Sequence, residues 1–202
     1  VDNQASVILI VFFSIVASPL LYIALNNINL TEVYIKGKDA YIVGLFNTLS
    51  YDIVVNKLEN NPQVDRLILT VNPGSLDDEE TFKLGRYLRD KGLNTHLLSK
   101  SVVASGAVDL FLSGKKRTVE MRAQLGVHSW SDGFNEASDF PVDDPAHHLN
   151  AKYIEDMLGK DDFYWFTINS APADDMYWMK ANDLSKFGVV TEHFSNPVMS
   201  IK

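Results

Sequence analysis

The chain has 202 residues, 46% of them hydrophobic and 22% charged, enough apolar content to bury one sizeable core and too much for disorder to be its main state. It contains no cysteine, which excludes disulfides, thiolate metal sites and a cysteine nucleophile. A formal charge of −8 argues against a sequence-independent nucleic-acid binder, which needs a basic footprint. The acidity is local: residues 131–175 carry eleven Asp and Glu against Lys152 and Lys160. That stretch reads as a solvated face, an insertion or a cap.

No charged side chain occurs between Asp2 and Glu32. Within this gap, residues 7–25 are nearly all apolar, and as a helix they would span ~28 Å, close to the hydrocarbon core of a bilayer. Pro19 suits a membrane helix better than a soluble one. The rival reading is a cleaved signal peptide, but cuts after Ala17 or Ala24 would put Ile15 or Tyr22 where a small residue is wanted. The expected organisation is therefore a membrane anchor or signal segment over 1–28 and a single α/β domain over 29–202.

Two short strands, 33–35 and 41–43, flank a turn at Lys36-Gly37-Lys38-Asp39. Ser50 is placed to cap a helix through Asn60, which Asn61-Pro62 stops. The continuous apolar run 66–71 predicts a parallel strand buried on both faces. After Asn72-Pro73-Gly74-Ser75, the acidic start Asp77-Asp78-Glu79-Glu80 suits the positive end of a helix dipole. That helix is expected to reach about Lys91 and stop at Gly92. A strand over His96-Leu97-Leu98, a helix over 108–112 and a strand over 124–128 follow. Such alternation predicts an α/β domain with right-handed crossovers.

In parallel sheets, sites form at the carboxyl ends of strands. Two loops of unusual composition fall there, 72–75 and 103–107. The second puts the Ser105 hydroxyl at a helix start, where free amides stabilise an oxyanion. His128, ending the following strand, is the best-placed base among five histidines, and a triad would need an Asp to orient it. Asp174 and Asp175 are both compatible. Each residue also has a plain structural reading: Ser105 as a helix cap, His128 as a buried ring bonded to backbone. His147-His148 near Asp143 and Asp144 lacks metal-ligand spacing, because adjacent histidines do not share a helix face. Lys115-Lys116-Arg117 reads as a solvated turn. No Gly-x-Gly-x-x-Gly or P-loop pattern occurs.

The order apolar strand, Pro73-Gly74, helix, Ser105-Gly106-Ala107 and then Gly126-Val127-His128 resembles the ClpP/crotonase superfamily, and within it the serine peptidases of the Clp proteolytic-subunit and signal-peptide-peptidase A type. The nearest likeness is to bacterial membrane-anchored or periplasmic ClpP-like proteins, and it covers roughly 33–191. The resemblance implies a spiral of β-β-α units, with Ser105 as nucleophile and His128 as base. It implies Asp175 as the acid, with Asp174 as the alternative, because a family acid lies about a dozen residues before the glycine of Phe187-Gly188-Val189-Val190-Thr191. Gly74 and Gly106 would supply the oxyanion-hole amides. A polypeptide substrate, a homo-oligomer, an extracytoplasmic domain, and no cofactor or metal are likewise implied. Two departures stand out. Ser75 replaces the second glycine of the family's Gly-Gly pair, and 131–165 is unlike the protease's substrate-binding strand. Acyl-CoA-handling members share the oxyanion hole but lack the Ser–His pair. A catalytically silent interaction module and an esterase or thioesterase using the same residues are the alternatives.

Overall fold

The computed structural model describes residues 30–192. The expected anchor at 7–25 lies outside them, and among the described residues no helix is long and apolar enough to cross a membrane. Strands β1 (Glu32–Lys36) and β2 (Asp39–Val43) form the expected antiparallel hairpin. Helix α1 (Ser50–Glu59) follows, then β3 (Arg66–Asn72), α2 (Asp78–Asp90), β4 (Asn94–Ala104) and α3 (Gly106–Leu112). Strands β5 (Arg117–Val119) and β6 (Gln124–Val127) complete the parallel part of the sheet. The chain then runs through α4 (His148–Leu158) and α5 (Asp162–Ser170) to β7 (Tyr177–Trp178) and α6 (Ala181–Lys186).

The sheet order is β1-β2-β3-β4-β6-β7, with β5 pairing beside β4. Pairs β2–β3, β3–β4, β4–β5 and β4–β6 are parallel, while β6–β7 is antiparallel. Leu67, Ile68 and Leu69 are all buried, so β3 is covered on both faces at its centre, as a continuous apolar run requires. Helix α3 is buried along nearly its whole length. It carries Val108, Leu110, Phe111 and Leu112 into a core shared with Phe82, Leu84 and Leu88 of α2.

Local signals mark most helix ends. Asp77 caps α2 by accepting the Glu80 N–H at 3.1 Å, and Gly92 takes the left-handed turn just past it (φ 75°). Two readings are corrected. Ser50 is not the cap of α1: it is buried, its Oγ accepts the Asn47 N–H at 2.8 Å, and the side chain of Asn47 accepts the Leu49 N–H at 2.9 Å instead. Arg117 is not part of a solvated turn. Its guanidinium is buried and donates to the carbonyls of Gly114, Gly188 and Val189, fastening the late Gly188-Val189 segment to β5. With no carboxylate beside it, desolvation lowers its pKa to about 10.

Strand β4 is much longer than the expected 96–98, because it changes partner midway. Thr95–Leu97 pair with β5, and Val102–Ala104 pair with β6. Between the halves, the register with β3 slips. Ser101 spans the irregularity: its buried Oγ accepts the Leu98 N–H at 3.0 Å and donates to the Leu69 carbonyl at 2.6 Å. Such a bulge redirects a strand, and here the redirected half ends at Ser105.

Candidate active site

Ser105 forms the turn between β4 and α3, and its backbone sits at φ 54°, ψ −139°. A non-glycine residue there costs about 1–3 kcal/mol and persists only where the surroundings enforce it. The enforcement is visible. Its N–H donates to the Gly126 carbonyl at 2.9 Å. On its other side, a Cβ at Gly74 would lie 3.2 Å from Ser105 Cβ, and a Cβ at Gly106 would lie 2.7 Å from Ser75 Cβ. The 74–75 loop and the 105–106 turn thus approach at a separation that glycine permits and larger residues do not. Ser105 makes no side-chain cap bond to α3, so the strain is not offset by capping. A strained strand-to-helix turn that presents a hydroxyl is the backbone solution used by nucleophilic serines.

Ser75, the departure from the Gly-Gly pattern, fits without strain. It is not in the left-handed region. Its Oγ accepts the Asp77 N–H at 3.0 Å and bonds Thr81 Oγ1 at 2.8 Å. The added side chain therefore braces the start of α2 while the loop keeps its course.

Ser105, Gly106 and His128 line one cavity of about 60 Å³. His128 directly follows β6, and its Nδ1 is buried without a hydrogen bond. Desolvation pushes the imidazole below its ordinary pKa, opposed by nearby backbone of Ser129 and Ala173 and by the charge of Glu136. Desolvation thereby favours the neutral ring, the state a general base needs. Among the described residues, no hydrogen bond joins Ser105 Oγ to His128.

The two aspartates expected to orient His128 lie elsewhere. Asp174 and Asp175 are exposed, and the Asp175 carboxylate accepts the N–H of its neighbour Met176 at 2.7 Å. Their segment does reach the histidine through Ala173. The carboxylate that arrives is that of Glu136, which accepts the Ala173 N–H at 3.0 and 3.2 Å. The acids that line the cavity itself are two others, Asp78 and Asp109. Burial raises the pKa of both; for Asp109 the shift is large and Asp78 adds to it. Sequence reading missed all three. Asp109 had a usable signal, lying one helical turn beyond Ser105. Asp78 was masked by its acidic helix start, and Glu136 carries no signal at all.

The acidic stretch 131–175 supplies the cavity's outer wall through Asn150 and Ile154 of α4 and Tyr164, Thr167 and Ile168 of α5. It is fastened by an internal relay. Trp130 Nε1–H donates to the Tyr164 hydroxyl at 2.9 Å, and that hydroxyl lies 2.6 Å from Nδ1 of the buried His147. Burial raises the Tyr164 pKa to about 12, so the phenol stays protonated within this relay.

No family model matches the sequence, and no curated protein matches it in sequence. Solved structures do match in fold. An enoyl-CoA hydratase from Shewanella pealeana is 13% identical, with a TM-score of 0.50 over 86% of this chain and 71% of the hydratase. DspI from Pseudomonas aeruginosa is 13% identical, with a TM-score of 0.51 over 79% of this chain and 71% of that one. A membrane-bound stomatin-specific protease in complex with a substrate peptide is 13% identical, with a TM-score of 0.50 over 78% and 75%. The chain has a mixed α/β fold of the crotonase/ClpP-like kind.

Proposed function

We propose that this protein is a serine hydrolase acting on polypeptides, with Ser105 as nucleophile and His128 as general base. The observation that carries this reading is Ser105 itself, held in a left-handed backbone that caps nothing and set in one cavity with a desolvated histidine. In the reaction, Ser105 Oγ bonds to the substrate carbonyl carbon as His128 accepts the hydroxyl proton. Backbone N–H groups of Gly74 and Gly106 carry the oxyanion. Collapse breaks the C–N bond, and the imidazolium returns its proton to the leaving amine. Water then repeats the sequence on the acyl-enzyme. Glu136 is the carboxylate whose charge favours the imidazolium; Asp175 and Asp174 would have to turn inward to serve. Anchoring through 7–25, an extracytoplasmic site and self-association belong to the same proposal and rest on composition and resemblance.

A fluorophosphonate probe tests this reading. The parent protein labels at Ser105, and Ser105→Ala and His128→Ala each abolish labelling while remaining folded by circular dichroism. The missing Ser105–His128 hydrogen bond favours a second reading, a catalytically silent domain used for assembly. Folded parent protein that never labels would establish that one. Among labelling proteins, turnover of esters without turnover of peptides would assign an esterase.

A further inference from the structure

Three exposed leucines gather on the edge of the domain where the described chain begins. Leu30 forms a parallel bridge with Leu45, and Phe46 forms one with Ser75. The Leu76 N–H donates to the Phe46 carbonyl at 2.8 Å, and the Phe46 N–H donates to the Gly74 carbonyl at 3.0 Å. Thr31 Oγ1 donates to the Leu45 carbonyl at 3.0 Å, while the Asn47 side chain accepts the Leu49 N–H at 2.9 Å. Segments 30–31, 45–49 and 74–76 are thus one hydrogen-bonded edge, with Leu45 and Phe46 buried within it. On it, Leu30, Leu49 and Leu76 remain 55%, 57% and 44% exposed. Single exposed leucines are ordinary; three on one fixed edge mark a surface that something covers.

Chain length names the cover. Only residues 26–29 separate the apolar run 7–25 from Leu30, so Leu25 and Leu30 lie no more than ~18 Å apart. The connecting Asn26-Asn27-Ile28-Asn29 carries no charge. A bilayer entered by 7–25 is therefore within reach of this edge. Charge narrows the kind of surface. Segments 30–32, 45–52 and 74–83 hold six acids and Lys83 as their one cation, and Lys83 pairs with Glu80. Anionic lipid repels such an acidic rim, so the edge suits zwitterionic headgroups.

We propose that Leu30, Leu49 and Leu76 rest in a zwitterionic membrane surface and hold the domain against the bilayer that 7–25 enters. This rests on the anchoring reading above and adds an orientation to it. Leu76 follows the Gly74–Ser75 loop, which packs closely on Ser105 and Gly106, so the docked edge brings the candidate site to the membrane. Its substrates are then polypeptide segments close to the bilayer. The opposite end of β1, where Gln63 Nε2 donates to the Gly37 carbonyl at 3.4 Å, stands ~20 Å away, in water.

Because the chain has no cysteine, single spin labels test this. The full chain in phosphatidylcholine vesicles carries one label, through Leu49→Cys, Leu76→Cys, Ile15→Cys or Gln63→Cys. Electron paramagnetic resonance then compares collisions with oxygen, which enters lipid, and with a nickel chelate, which stays in water. Labels at 49, 76 and 15 should favour oxygen, and the label at 63 should favour the chelate. Exchanging the lipid for phosphatidylglycerol should shift 49 and 76 toward the chelate and leave 15 in place. A label at 15 in lipid with either 49 or 76 in water would sink this inference alone. A label at 15 in water would sink the anchor, and this inference with it. Spin–spin broadening at 49 or 76 that dilution with unlabelled chain removes would put a second copy on the edge and overturn the proposal. Deeper insertion of 49 and 76 in phosphatidylglycerol would overturn it too.

Discussion

At the scale of single residues, burial shifts the titration of groups that line the cavity. Burial lowers the His128 pKa, so the folded chain binds that proton less readily than the unfolded one. The resulting stability is complete above the ordinary histidine value of ~6.5 and is lost as pH falls through the folded value. Activity should share this acid limb. Glu136 acts in the opposite direction, since its charge favours the imidazolium. Glu136→Gln should therefore move the acid limb of kcat/KM, or of probe labelling, to lower pH; an unmoved limb would remove Glu136 from the site. For Asp109 the sign reverses. Its folded pKa is raised, so folding favours the protonated acid, and stability falls as pH climbs from ~4 through the folded value. Asp109→Asn should stabilise the protein at neutral pH by about 1 kcal/mol or more. In urea melts that gain should vanish below about pH 4, where both states of the parent are protonated.

At the scale of elements, the site depends on how β4 is built. Its first half is committed to β5 and its second to β6, and Ser101 holds the irregularity between them through Leu98 and Leu69. Ser101→Ala should cost about 1–3 kcal/mol, because it leaves a buried carbonyl unpaired, and should slow probe labelling as the Ser105 turn loosens. Loss of stability with unchanged labelling would show that the bulge does not position the nucleophile. The elements legible in the sequence were those set by local chemistry. The β1–β2 turn, the apolar β3, the acidic start of α2 and the Gly92 stop each depend on neighbours within a few positions. Ser50 was misread because any serine before a helical pattern looks like a cap, whereas Thr31 and Asn47 claim its hydroxyl. Arg117 was misread because its carbonyl partners at 188 and 189 lie more than seventy residues away.

At the scale of the whole molecule, the candidate cavity is walled by the acidic stretch whose composition suggested a solvated face, an insertion or a cap. Most of the acids in 131–175 face solvent, yet Tyr153, Ile154, Phe163 and Tyr164 from it enter the core. Trp130, Tyr164 and His147 fasten the wall to the end of β6. The meeting of Ser105 and His128 at one cavity was legible because each follows a strand that the pattern reveals. The approach of Glu136 was not, since nothing in sequence spacing distinguishes it from Asp174 or Asp175; only the path of the 131–175 stretch brings its carboxylate to the Ala173 N–H.

All of this converges on whether the strain at Ser105 serves chemistry or merely packing. The most direct measurement is the unfolding free energy of Ser105→Gly, taken beside its fluorophosphonate labelling. Glycine adopts the backbone at this position freely. The account predicts that stability rises by about 1 kcal/mol as the strain is relieved, while labelling disappears. A variant less stable than the parent that still labels would contradict it, making Ser105 a packing residue and placing the reactive serine elsewhere.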